Sequence, residues 1–221
     1  MFYYIIVIGT IGNITHEYAC DERKSLLRKY SSMFAFGHPG ITLGVVTLVA
    51  GVVDKKQASN NTMISWFASL SHYIDIRILL VGSLLPDIID KPVGQFFFRE
   101  TFSNGRIFSH TLLFLIVLTG TGFYLYKRHH QVWMLTLAAG TFLHLVLDGM
   151  WAAPATLFWP LLGLTFEKED LTDWLMNIFR ELFSHPGNSI PELIGLVILL
   201  WFGLGLFARK KVWAFIKHGK A

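Results

Sequence analysis

Charge is what this chain has least of. Of its 221 residues, 15% are Asp, Glu, Lys or Arg, where an ordinary soluble domain carries roughly 25%, so the groups needed to cover a water-facing surface are missing. The mean hydropathy is +0.48. That balance excludes an ordinary soluble domain and fits one polytopic helical bundle in a membrane. Cysteine is nearly absent as well: Cys20 stands alone, which excludes an intrachain disulfide framework and a thiolate metal site. No internal repeat or low-complexity run occurs. The net charge of +4 comes from Lys and Arg that flank apolar runs instead of lining one face, so it suits lipid headgroups and excludes a nucleic-acid partner.

What the chain has is apolar runs of spanning length. Five are expected to cross the membrane, at about Gly37–Val53, Tyr73–Ile89, Ile107–Tyr126, Val132–Trp151 and Ile190–Ala208, each bounded by charge or by Gly and Pro. Ala152–Leu164 is apolar and aromatic but too short to cross, and reads as a re-entrant or interfacial segment. Leu171, Trp174, Leu175, Ile178, Phe179, Leu182 and Phe183 recur at helical spacing, the pattern of an amphipathic helix lying in the interface. The expected organisation is an N-terminal arm over 1–32, one transmembrane helical domain over 33–208 and a basic tail over 209–221. Met1 to Gly12 is too short to span and has no basic region before it, so a cleaved signal peptide is not expected. Met33 is an alternative start, which would make the arm an upstream extension.

Ionisable residues inside such helices are functional candidates, because burying them without partners costs several kcal/mol. The centre of interest is Thr141-Phe-Leu-His-Leu-Val-Leu-Asp148, where His144 and Asp148 are four residues apart inside an apolar run and share a helix face. Other polar groups fall at matching depths. His38 opens the first helix, Asp87 and Asp90 close the second, Arg106 and His110 open the third, and His144 and Asp148 approach the end of the fourth. In an up-and-down bundle these four helix ends lie on one side, so all seven groups converge. Imidazole nitrogen and carboxylate oxygen form a ligand set for a divalent transition metal, zinc foremost, with manganese or iron as alternatives. The number of carboxylates leaves room for one or two ions. Arg106 adds a cation suited to a phosphoryl oxygen. Taken singly, each group also has a structural reading: His144 with Asp148 as an ion pair, His110 as a headgroup contact, Asp87 as a turn cap.

The runs His38-Pro-Gly-Ile-Thr-Leu-Gly44, Gly82-Ser-Leu-Leu-Pro-Asp-Ile-Ile-Asp90, Arg106-Ile-Phe-Ser-His-Thr-Leu112, His144-Leu-Val-Leu-Asp148 and Phe158-Trp-Pro160 resemble the YdjM-like family of membrane-bound metal-dependent hydrolases of bacteria and archaea. The resemblance covers about Phe36 to Gly163. It implies a metal site of His38, Asp87, Asp90, His110, His144 and Asp148, with Asp87, Arg106 and His110 in catalytic roles. The sequence departs from the family pattern at one point: Asp90 follows Asp87 by three residues where the pattern has two, which turns the second carboxylate to another helix face. The His-x-x-x-Asp spacing also resembles zinc-dependent phospholipase C enzymes.

The expected function is therefore a metal-dependent hydrolase of the cytoplasmic membrane, acting through metal-activated water on a phosphoester, a small molecule or a membrane lipid headgroup. Two other classes compete: an ion- or proton-coupled transporter, and a non-enzymatic membrane protein whose metal staples its helices. Against transport, the polar groups gather at one end and no inverted repeat is visible. On the expected topology, the side opposite the cluster holds ten Lys and Arg and the cluster side five, which places the site on the external face. Counting the N-terminal arm changes that to ten against nine.

Overall fold

The computed structural model describes residues 36–53, 74–168, 176 and 186–219. The N-terminal arm and, apart from Met176, the expected amphipathic helix at 171–183 lie outside the described residues. Within them the chain is all helical. In order come α1 (Gly37–Val53), α2 (Ile76–Lys91), a π-helical turn (Pro92–Phe97), α3 (Leu112–His129), α4 (Trp133–Leu147), a 3₁₀ turn (Met150–Ala152), α5 (Pro154–Leu157), α6 (Pro186–Ala208) and α7 (Val212–His218).

The ends of these helices follow from local chemistry. Pro39 sits in the first turn of α1, where a missing N–H matters least. Asp75 caps α2 by accepting the Arg77 amide at 2.9 Å. The expected third helix begins five residues later than its sequence pattern suggests, at Leu112. Thr111 is extended and its hydroxyl accepts the Phe114 amide at 3.1 Å, the geometry of an N-cap. Arg106 and His110 consequently lie in the loop before α3 and not on its first turns. The fourth helix stops at Leu147, short of the expected Trp151, because Gly149 adopts a left-handed conformation with φ of 60°.

Helix α2 packs most extensively on α4, and α1 on α6; α3 covers another face of α4, and α1 also touches α2 and α4. Close approach is licensed by glycine. A Cβ on Gly82 would fall onto the Leu137 carbonyl of α4, and one on Gly40 onto the backbone of Gly195 in α6. Between helices in lipid, such backbone contact supplies van der Waals packing that the hydrophobic effect does not.

The two ends of the bundle differ in chemistry. One holds an apolar core of Leu43, Ile76, Phe202 and Leu206, onto which α7 folds back through Phe215. The docking of α7 also uses Arg77, which donates to the Ile216 carbonyl at 2.7 Å. The other end holds buried His and Asp side chains. Of the described helices, Ser189–Ala208 is long and apolar enough by itself to cross a membrane, and Gly37–Ala50 and Trp133–Leu147 are shorter apolar helices. Large apolar side chains face outward along the bundle, among them Val49, Ile116, Val117, Val197, Leu204 and Phe207.

Candidate metal centre

Pro86 prepares the α2 wall of the site. A proline inside a helix cannot bond the carbonyl four residues earlier and pushes it aside. That carbonyl belongs to Gly82, and the Thr141 hydroxyl of α4 reaches it at 3.2 Å, sharing its proton with the Leu137 carbonyl of its own helix at 3.1 Å. One residue further, the Ser83 carbonyl accepts Nδ1–H of His144 at 2.7 Å. Because a carbonyl only accepts, this bond fixes the tautomer and turns the Nε2 lone pair of His144 inward.

His110 is held the same way by Asp90. The Asp90 carboxylate, wholly buried, accepts Nδ1–H of His110 at 2.7 Å and the backbone amides of Ile107 at 2.8 Å and Ser109 at 3.0 Å. It thereby shapes the loop before α3 around itself. Asp90, expected from the sequence as a ligand, instead stands behind His110, with its carboxylate taken up by Nδ1–H of that ring and by the loop amides. Carboxylate support of this kind fixes the orientation of a ligating imidazole.

Nε2 of His110 and Nε2 of His144 then face each other at 3.2 Å. With both Nδ1 atoms committed as donors, two lone pairs at that distance repel unless a cation lies between them. A tetrahedral site with metal–nitrogen bonds of about 2.0–2.1 Å has nitrogen–nitrogen edges of about 3.3 Å, so the spacing suits a shared ion.

His38 completes the set from α1. Its ring stacks on His144 with centroids 4.0 Å apart, and its Nε2 lies 3.1 Å from Oδ1 of Asp148. These two atoms are not aligned for a hydrogen bond, and neither has such a partner among the described residues. Buried polar atoms left this way are costly, and both are donors of the kind a metal takes. Oδ2 of Asp148 lies 3.7 Å from His110 Nε2 and accepts Nε–H of Arg106 at 2.8 Å. Oδ1 of Asp87 lies 3.7 Å from His110 Nε2 and 3.9 Å from His144 Nε2, while its Oδ2 accepts from Lys91 at 2.7 Å.

Two groups of donors can hold an ion, His38 with His144 and Asp148, and Asp87 with His110 and His144; the ligand atoms in each lie within 4.8 Å of one another. The three imidazoles are fully buried, whereas Asp87 and Arg106 are partly exposed at the rim. Phe108, two residues before His110, packs edge-on against Phe102, Trp159 and Phe166. Through Trp159 the Phe158-Trp-Pro segment packs on the loop that carries His110.

Several supporting groups escaped the sequence reading. Ser83 acts through its backbone carbonyl and Ser109 through its amide, neither of which leaves a residue-type signal. Lys91 was missed as well, although its place four residues after Asp87 is a signal for that ion pair.

The fold and site define a helical bundle with a buried histidine–aspartate centre at one end. The chain belongs to the YdjM inner membrane protein family, whose model matches residues 33–213. No curated protein and no solved structure matches it.

Proposed function

We propose that this protein is a multi-pass, metal-dependent hydrolase of the inner membrane. The observation that carries the reading is the convergence of Nε2 of His38, His110 and His144 with the carboxylates of Asp148 and Asp87, including His38 Nε2 and Asp148 Oδ1, which lie 3.1 Å apart with no hydrogen bond among the described residues. His38, His110, His144 and Asp148 would hold the ion, with Asp87 beside it at the rim. His110 thus serves as a ligand in this reading and not as a free acid or base, and Asp90 as its support. His144 belongs to both donor groups yet has one nitrogen left after its bond to Ser83, which favours one ion over two. Zinc suits a set of imidazoles and carboxylates without sulfur. When bound, such an ion supplies Lewis acidity and brings the pKa of a coordinated water toward neutrality.

The remaining chemistry belongs to side chains at the rim. Asp87 is the carboxylate nearest the opening and can accept a proton from an attacking water. Lys91 holds its other oxygen and so orients it. Arg106 binds Asp148 and places a permanent cation at the rim of the centre, a charge that suits a phosphoester. Phe96, Phe97 and Phe98, which follow the α2 residues of the centre in the chain, and Leu161 and Leu164, which follow Trp159, are exposed, apolar surface that suits a lipid arriving laterally from the bilayer. Partial exposure of Asp87 and Arg106 favours an accessible catalytic centre over a sealed structural staple.

Five spanning segments, an interfacial helix at 171–183 and a single membrane domain over 33–208 belong to the same proposal. The outward apolar faces of α1, α3 and α6 support it. The positive-inside count favours a site on the external face. The test is metal analysis of protein purified in mild detergent. Wild type is expected to hold about one transition-metal ion per chain and His144→Ala far less; equal content in both, or none in wild type, contradicts the reading.

A further inference from the structure

Helix α1 begins without a capping side chain of its own. Phe36 occupies the cap position and offers no acceptor. The first amides of a helix have no intrahelical partner and need one from elsewhere. Here it comes from another helix, 155 residues away: Glu192 of α6 accepts the Gly37 amide through Oε1 and the Phe36 amide through Oε2, each at 3.0 Å. Pro39 has no amide to satisfy, and the Gly40 amide makes the first helical bond, to Phe36 at 3.1 Å.

Glu192 is the lone charged residue of the apolar run 190–208, and it is 7% exposed. A carboxylate there is expensive unless it is bound on both oxygens, and the positive end of the α1 dipole favours it. One turn along α6, Gly195 brings the two backbones together: a Cβ there would fall on the Phe36 carbonyl. Glu192 and Gly195 therefore grip the same two residues, Phe36 and Gly37, that precede His38. His38 is also the centre's one histidine whose Nδ1 has no hydrogen-bond partner among the described residues. His110 and His144 are aimed by Asp90 and Ser83. His38 has no such bond at its ring, so its direction depends on where the backbone starts.

We propose that Glu192 is the positioning residue for His38, setting the metal affinity of the centre from a helix that contributes no ligand. This rests on the metal-centre reading above. The test is titration of purified full-length protein, stripped of metal, with Co²⁺, following the visible absorption of the bound ion and its affinity by competition with a chelator. Helical circular dichroism shows that each variant is folded.

Glu192→Ala is expected to weaken Co²⁺ binding about 10–100-fold, the range for loss of an orienting partner, and to change the absorption band. Glu192→Gln keeps one acceptor and should fall between, which serves if the alanine variant does not fold. Because Glu192 acts through His38, the double variant with His38→Ala should bind no more weakly than His38→Ala alone. Folded Glu192 variants with wild-type affinity and spectrum, or full additivity in the double variant, would overturn the inference. Wild type that takes up no Co²⁺ would instead defeat the metal-centre reading itself, and the inference with it.

Discussion

At the scale of single residues, the centre is governed by which nitrogen of each histidine is free. Ser83 and Asp90 take Nδ1 of His144 and His110, and this leaves both Nε2 atoms facing one point. Asp90→Asn tests the arrangement. The amide keeps nearly the same volume but presents one oxygen in place of two and carries no charge, so the Ile107, Ser109 and His110 amides compete for fewer acceptors. Metal affinity should fall about 10–100-fold, read by competitive titration, with the helices still formed. An unchanged affinity would mean that His110 needs no support. His144 and Asp148 were legible in the sequence because a pair at helical spacing stands out in an apolar run. The role of Ser83 was not, since any residue type carries a carbonyl.

At the scale of elements, the close contact of α2 with α4 carries the geometry, because each brings donors to the centre. Gly82→Ala would drive a methyl group into the Leu137 backbone, which cannot move as a side-chain tip can. Separating the helices should destabilise the protein by about 1–3 kcal/mol and also reduce metal content, since His144 would lose its bond to Ser83. Thermal unfolding in detergent, measured with and without added Zn²⁺, reads both effects. Wild-type stability and metal content would show that the helix contact does not set the site. The start of α1 could be read from the sequence, because the apolar run begins beside Gly37 and Pro39. The start of α3 was misread. Ile107 and Phe108 continue the apolar pattern, yet they turn into the loop that wraps the Asp90 carboxylate. Thr111 carried the signal for the true start, as a residue that caps better than it propagates.

For the whole molecule, the up-and-down order of α1 to α4 brings four distant stretches to one end, and that consequence could be reasoned from helix order alone. The tail could not: it read only as a basic stretch over 209–221, whereas α7 docks through Phe215 and Ile216, contacts with no pattern in sequence. The charge balance predicts that this tail faces the cytoplasm and the centre the opposite side. A reporter active only outside the cytoplasm, fused after Ala221, should be silent, and a cytoplasmic reporter at the same position bright; the reverse would turn the site inward.

The most direct measurement is X-ray absorption at the metal edge of the purified protein. It should show one first shell of nitrogen and oxygen at about 2.0–2.1 Å, with the multiple scattering of about three imidazoles and no sulfur. A protein without stoichiometric metal, or a shell lacking imidazole, would contradict the account.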